Sequence, residues 1–167
     1  MFQLTMQDNE HSEQFVTPSA LLTNSLFKEG VFVSEVNKCL RDCRQYSRVR
    51  VYRNLNKPSF YSIMAMEGER KGRVCGYAKS IQLESFKFIV NEKPRLKILK
   101  EKRRSVHAFC DGIITDASNE TQHVSGQKYV TYNPYFSGSF FEKETKEPVK
   151  PGVYNAILQG AGAYLLP

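Results

Sequence analysis

No tryptophan occurs among the 167 residues, so an aromatic core has to be built from 11 phenylalanines and 9 tyrosines. Four cysteines are too few for a disulfide scaffold, and reduced thiols are expected. No apolar run approaches the roughly 18 residues a membrane helix needs. The N-terminal stretch MFQLTMQDNEHSEQ has no basic n-region and no apolar h-region, so it does not read as a secretory signal. Together these absences imply a cytoplasmic protein with no membrane contact. The length fits one domain with a real core.

The motifs of common enzymes are missing too. Gly68, Gly72 and Gly76 do not form a phosphate loop, and the GAG at 160–162 opens no helix. There is no Gly-x-Ser-x-Gly elbow, no His-Glu-x-x-His and no deaminase pattern. Cys39 and Cys43 could face one metal only if Cys75 and Cys110 joined them, and the close cysteine pairs of zinc modules are absent. All four are expected as small buried hydrophobes. No cofactor, metal or catalytic set is expected.

What is present is charge, unevenly placed. Residues 1–37 carry a net charge of −4, residues 38–104 carry +13 and residues 105–167 carry −2, within a total of +7. Such segregation suits a surface that faces a polyanion. Its densest part is PRLKILKEKRRSVHAFCDG, residues 94–112, preceded by Lys93.

Taken in order, residues 1–16 read as a flexible acidic arm. Thr17-Pro18 is a helix-start signature, followed by Leu21, Leu22, Leu26 and Phe27 on one stripe up to Gly30. Val36, Cys39, Leu40 and Cys43 predict a second helix after Ser34. From Arg48 the period shortens to two. Residues 49–55 and 60–66 predict strands joined by a tight turn at 56–59, and EGERKG at 67–72 predicts a hairpin loop. Residues 73–90 change parity between Leu83 and Phe86, which predicts a bulge near Glu84-Ser85. Asn91 is placed to cap a basic helix over 92–104, with Leu96 and Leu99 on its buried side and Ile98 as a further candidate for it. A strand over 106–114, a polar loop over 115–127, an aromatic hairpin over 128–149 and a last, glycine-kinked strand complete the chain. The expected fold is α+β: a curved, mostly antiparallel sheet or partial barrel of about six strands, one inserted basic helix and two N-terminal helices. Residues 17–167 form one domain, with 17–47 a helical addition to a sheet-rich core at 48–167.

Three segments carry a family resemblance. VYRNLNKPSFYSI (51–63), EKPRLKILKEKRRSVHAF (92–109) and YNPYFSGSFF (132–141) resemble, in the same order, a family of short uncharacterised proteins carried by phages, plasmids and prophage regions. The matching residues include Val51 to Leu55, Tyr61, Ser62, Leu99 to Arg103 and Val106 to Phe109. Asn56 and Ser105 depart from the pattern, which prefers His and Asn there. The resemblance spans residues 49–142 and implies a bacterial or phage cytoplasm and no catalytic residues.

The candidate polyanion contacts are Lys93, Arg95, Lys97, Lys100, Lys102, Arg103 and Arg104, extended by Arg48, Arg50, Arg53 and Lys57. Tyr52, Tyr132 and Tyr135 are the candidates for exposed rings that stack on bases or meet a protein partner, most other aromatics being expected in the core. His107 and Asp111 lie ~13 Å apart along one strand, too far for a direct dyad. These features point to a non-enzymatic accessory protein that binds DNA, RNA or a nucleic-acid-bearing complex. One alternative is an inhibitor of a host defence protein, anti-CRISPR or restriction-directed. The other is an enzyme on a phosphorylated substrate using His107, Asp111 and Arg103.

Overall fold

The computed structural model describes residues 25–27, 43–124, 126–136 and 138–167. Nine strands form one sheet: β1 (Arg48–Arg53), β2 (Tyr61–Ala65), β3 (Val74–Ala78), β4 (Ser80–Val90), β5 (Ala108–Ser118), β6 (Tyr129–Tyr132), β7 (Phe140–Glu142), β8 (Tyr154–Gln159) and β9 (Gly162–Leu166). Among the described residues there is a single helix, α1 (Glu92–Glu101), between β4 and β5. The order across the sheet is β3-β2-β1-β5-β4-β8-β9-β6-β7, and every pairing is antiparallel. The outer strands β3 and β7 do not pair with each other, so the sheet is open.

This corrects the expected α+β fold of about six strands and three helices. Residues 73–90, too long for one uninterrupted strand, divide at a bend at Lys79 as well as bulging at Ser85; the bend sends the chain from the edge strand β3 to β4, deep in the sheet. The C-terminal segment is a hairpin, because Gly160 adopts φ 64° and turns β8 back into β9. β5 runs on to Ser118, four residues past the predicted end, into a segment whose polar composition reads as loop. Its polar side chains are buried yet bonded locally: Thr115 Oγ1 donates to the Gln82 carbonyl, and Ser118 Oγ to that of Glu120. Of the first predicted helix, Ser25 instead makes a β-bridge with Ser118, and Leu26 donates to the Ala117 carbonyl. Cys43 to Ser47, the end of the second, are turn and extended chain. The rest of both helices and the acidic arm lie outside the described residues.

The predicted bulge is present. Ser85 has φ 51°, and pairing with β5 passes from Glu84↔Ile113 to Lys87↔Asp111, one extra residue on β4. A second shift, Gln82↔Asp116 to Leu83↔Ile114, puts an extra residue on β5. The strands curl accordingly. Phe88 of β4 stacks against Phe140 of β7, four places away in the sheet order, with ring centroids 4.6 Å apart. The Tyr61 hydroxyl of β2 donates across the hollow to the carbonyls of Gly160 and Gly162, at 2.9 and 3.2 Å. One face of the curled sheet is thus the core: Val49, Val51, Ile63, Ile81, Leu83, Phe86 and Ile114 are fully or almost fully buried on it. Each such side chain contributes about 1.5–3 kcal/mol through burial.

Candidate functional site

Inside the curl lies a half-open cavity of about 240 Å³. Every strand except β3 contributes to its wall, including Tyr61, Phe88, Cys110, Tyr132 and Phe140. The rings form a continuous series. Tyr154 and Phe86 touch each other and Phe88, Phe88 touches Phe140, Phe140 touches Tyr132, and Tyr132 meets the His107 ring at 5.3 Å. Burial raises the Tyr132 hydroxyl to about 12, against the opposing pull of the neighbouring Arg95 guanidinium. Burial also raises the Cys110 thiol and the Tyr61 hydroxyl, so both stay protonated at neutral pH. Cys43, Cys75 and Cys110 are buried thiols that form no disulfide among the described residues, packed as small core side chains as expected, while Cys39 lies outside the described residues.

His107 precedes β5 and is 7% exposed. Its Nδ1 lies 2.9 Å from the Ser105 carbonyl, and its Nε2 is buried without a hydrogen-bond partner among the described residues. Asp111 sits in mid-strand opposite the β4 bulge, where it pairs with Lys87, and accepts two hydrogen bonds from Arg50 on β1, at 2.8 and 2.9 Å. Neither Asp111 nor Arg103 lines the cavity that His107 lines, so the three do not come together as an acid–base set.

The structure sorts the predicted cations into groups. Arg50 is occupied twice, by Asp111 and by the Phe109 ring 4.0 Å beneath its guanidinium. Arg95 is a clasp. Its side chain is 13% exposed, it is ion-paired with Glu92, and Nε donates to the Pro134 carbonyl at 3.1 Å. That bond ties α1 to the β6–β7 loop, where Gly138, at φ 77°, leaves room for the guanidinium. Arg48 is exposed at the opposite end of β1 from Arg53, about 16 Å away at strand spacing. Arg53 lines the cavity and donates to the Pro58 carbonyl. Lys57 is exposed in the same β1–β2 turn. Arg104 donates to the carbonyl of Leu55, itself a cavity residue, which brings the chain after α1 to the lip. Arg103 makes an exposed pair with Glu101. Lys93, Lys97, Lys100 and Lys102 are exposed and have no ion-pair partner among the described residues.

Helix α1 is shorter than the basic run. Asn91 starts it without a side-chain cap, and Lys102 ends it in the left-handed conformation at φ 59°. Arg103 to Val106 therefore form an extended link, as the chain must straighten to enter β5. Ile98, not Leu96, is the buried residue; Leu96 is 54% exposed. Of the candidate rings, Tyr135 is 63% exposed, whereas Tyr132 and Tyr52 are half-buried in the cavity wall. Phe136, 50% exposed beside Tyr135, was not among the candidates. The Asn133-Pro134 turn just before it was its signal.

An open antiparallel sheet curled around a partly aromatic hollow defines a small, mostly β protein. The chain belongs to the family described as Mycobacterium phage L5 gene 82 protein, which matches residues 42–165. It is 36% identical over 107 residues to the gene 82 protein of Mycobacterium phage L5, an alignment covering 60% of this chain and 82% of that relative. The phage setting implied by the three resembling segments thus has support. No solved structure matches the chain. Among the described residues, no helix is long and apolar enough to cross a membrane.

Proposed function

We propose that this phage protein binds nucleic acid through α1, the link that follows it and the adjoining β6–β7 loop. One observation carries the reading. Four lysines without ion-pair partners among the described residues, Lys93, Lys97, Lys100 and Lys102, lie on or next to the helix that Arg95 ties to the loop bearing the exposed rings Tyr135 and Phe136. Free cations displace counterions from phosphates, and exposed rings stack on unpaired bases. Arg103 and Arg104 extend the cationic strip towards the cavity lip, whereas Arg50 and Arg95 are spent on internal contacts.

The test is binding of labelled single-stranded and duplex oligonucleotides over a series of salt concentrations. With four to six phosphates engaged, the log–log slope for a single strand is about −3 to −4. The double variant Lys97→Glu/Lys100→Glu loses this binding without losing stability. Binding independent of salt, or unchanged in that variant, overturns the assignment.

The exposed Tyr135 and Phe136 also suit a protein partner, such as a host defence protein. A pull-down from host lysate separates the two: a partner retained after nuclease treatment favours protein recognition, and one lost with the nucleic acid favours the reading above.

A further inference from the structure

The cavity wall contains a polar atom without a hydrogen-bond partner among the described residues. A backbone carbonyl only accepts, so the 2.9 Å contact with Ser105 places the proton of the neutral His107 ring on Nδ1. Nε2 is then an acceptor, buried and without a donor among those residues. Such an atom costs free energy until something donates to it. The Tyr132 ring lies 5.3 Å from the imidazole with Phe140 beyond it, aliphatic side chains fill much of the remaining wall, and the Tyr132 hydroxyl is a second buried polar atom without a hydrogen-bond partner among the described residues. Arg53 stands in the wall, and Arg104 is tied to the lip at Leu55.

The volume restricts the occupant. About 240 Å³ falls below the ~300–1,000 Å³ of pockets that take drug-sized ligands, and admits one planar ring system without a sugar and phosphate. Ring walls select a flat π-face, the orphan acceptor selects a ring with an N–H edge, and the cations outside select an attached phosphate. We infer that the cavity takes a single unstacked nucleobase, which donates an N–H to His107 Nε2 while its phosphates remain at the cationic lip. The inference rests on the preceding reading only for the source of the base, since a strand and a free nucleoside present the same ring.

Uncharged nucleosides test the cavity without the cations. Protein with nitrogen-15-labelled histidine is titrated with uridine and with N3-methyluridine, which lacks the ring N–H, and the His107 Nε2 resonance is followed. Uridine shifts it and the methylated ring does not. His107→Phe keeps an aromatic ring against Tyr132 but removes the acceptor, and weakens nucleoside binding about tenfold. Ala161→Trp, at an exposed turn position on the cavity wall, blocks the shift while circular dichroism and urea unfolding stay as in the parent. No shift with uridine, cytidine, adenosine, guanosine or an oligonucleotide overturns the inference, as does a shift that persists in Ala161→Trp. Salt-dependent oligonucleotide binding that never moves His107 leaves the basic face standing and removes the cavity site. A nucleoside shift without oligonucleotide binding keeps the site, with a free nucleoside as occupant, and removes the basic-face reading.

Discussion

Gly112 of β5 lies so close beneath Phe86 of β4 that a β-carbon on it would stand 2.3 Å from the Phe86 β-carbon and 2.7 Å from its α-carbon. The contact sits at the bulge where Ser85 leaves the pleat. Gly112→Ala therefore forces two backbones apart rather than displacing a flexible side chain. It is expected to lower stability by about 1–3 kcal/mol or more. Gly152→Ala, whose new carbon meets nothing nearer than 3.9 Å, is the control and stays near the parent in urea unfolding. Equal midpoints for the two variants would show that the bulge relaxes freely.

The Tyr61 hydroxyl spans the hollow to the β8–β9 turn, and its removal tests how far that bond holds the curl. Tyr61→Phe loses two hydrogen bonds and is expected to cost about 0.5–1.5 kcal/mol at neutral pH, with faster amide exchange in the β8–β9 hairpin.

The same tyrosines set an alkaline limit. Burial raises Tyr61, and raises Tyr132 to about 12, above the ordinary 10.0. From pH about 10 upward the unfolded chain releases these protons while the folded chain keeps them. The folded state then holds more protons, so stability falls as pH rises through this window and is unaffected below it. Urea midpoints across the range, with tyrosinate absorbance as the titration signal, should decline, and less steeply in Tyr61→Phe. A flat profile would mean that the hydroxyls ionise in the folded state as they do in water.

Arg95 separates structural from binding charge. If it is a clasp, Arg95→Ala loosens the β6–β7 loop and lowers stability by about 1–3 kcal/mol, because a largely buried, hydrogen-bonded guanidinium is lost. Lys97→Glu leaves stability within about 0.5 kcal/mol, as is usual for an exposed position. Thermal unfolding of both variants decides this, and a stable Arg95→Ala would return Arg95 to the binding set.

Several elements were legible because they depend on local pattern. Val49 and Val51 alternate with Arg50 and Tyr52 and fall on the core face. The parity change between Leu83 and Phe86 located the bulge, since a strand that must bury both sets needs an extra residue between them. Asn91 marked the start of α1, but not its end: no glycine signals the left-handed Lys102. The split at Lys79 was hidden because Lys79-Ser80, between Ala78 and Ile81, contains neither glycine nor proline to mark a turn, and the buried end of β5 because its side chains are polar.

The sequence by itself determined a soluble-type composition with a middle segment of +13, a phenylalanine- and tyrosine-rich core without tryptophan, and strands of period two after Arg48. These properties belong to residue types and their spacing. Only the tertiary structure decided which charges are free and what the rings surround. Arg50 and Asp111 are 61 residues apart and meet only because β1 pairs with β5. The cavity forms because bulges curl one open sheet until β2 and β7 share a hollow with β5, where His107 Nε2 is left without a hydrogen-bond partner among the described residues.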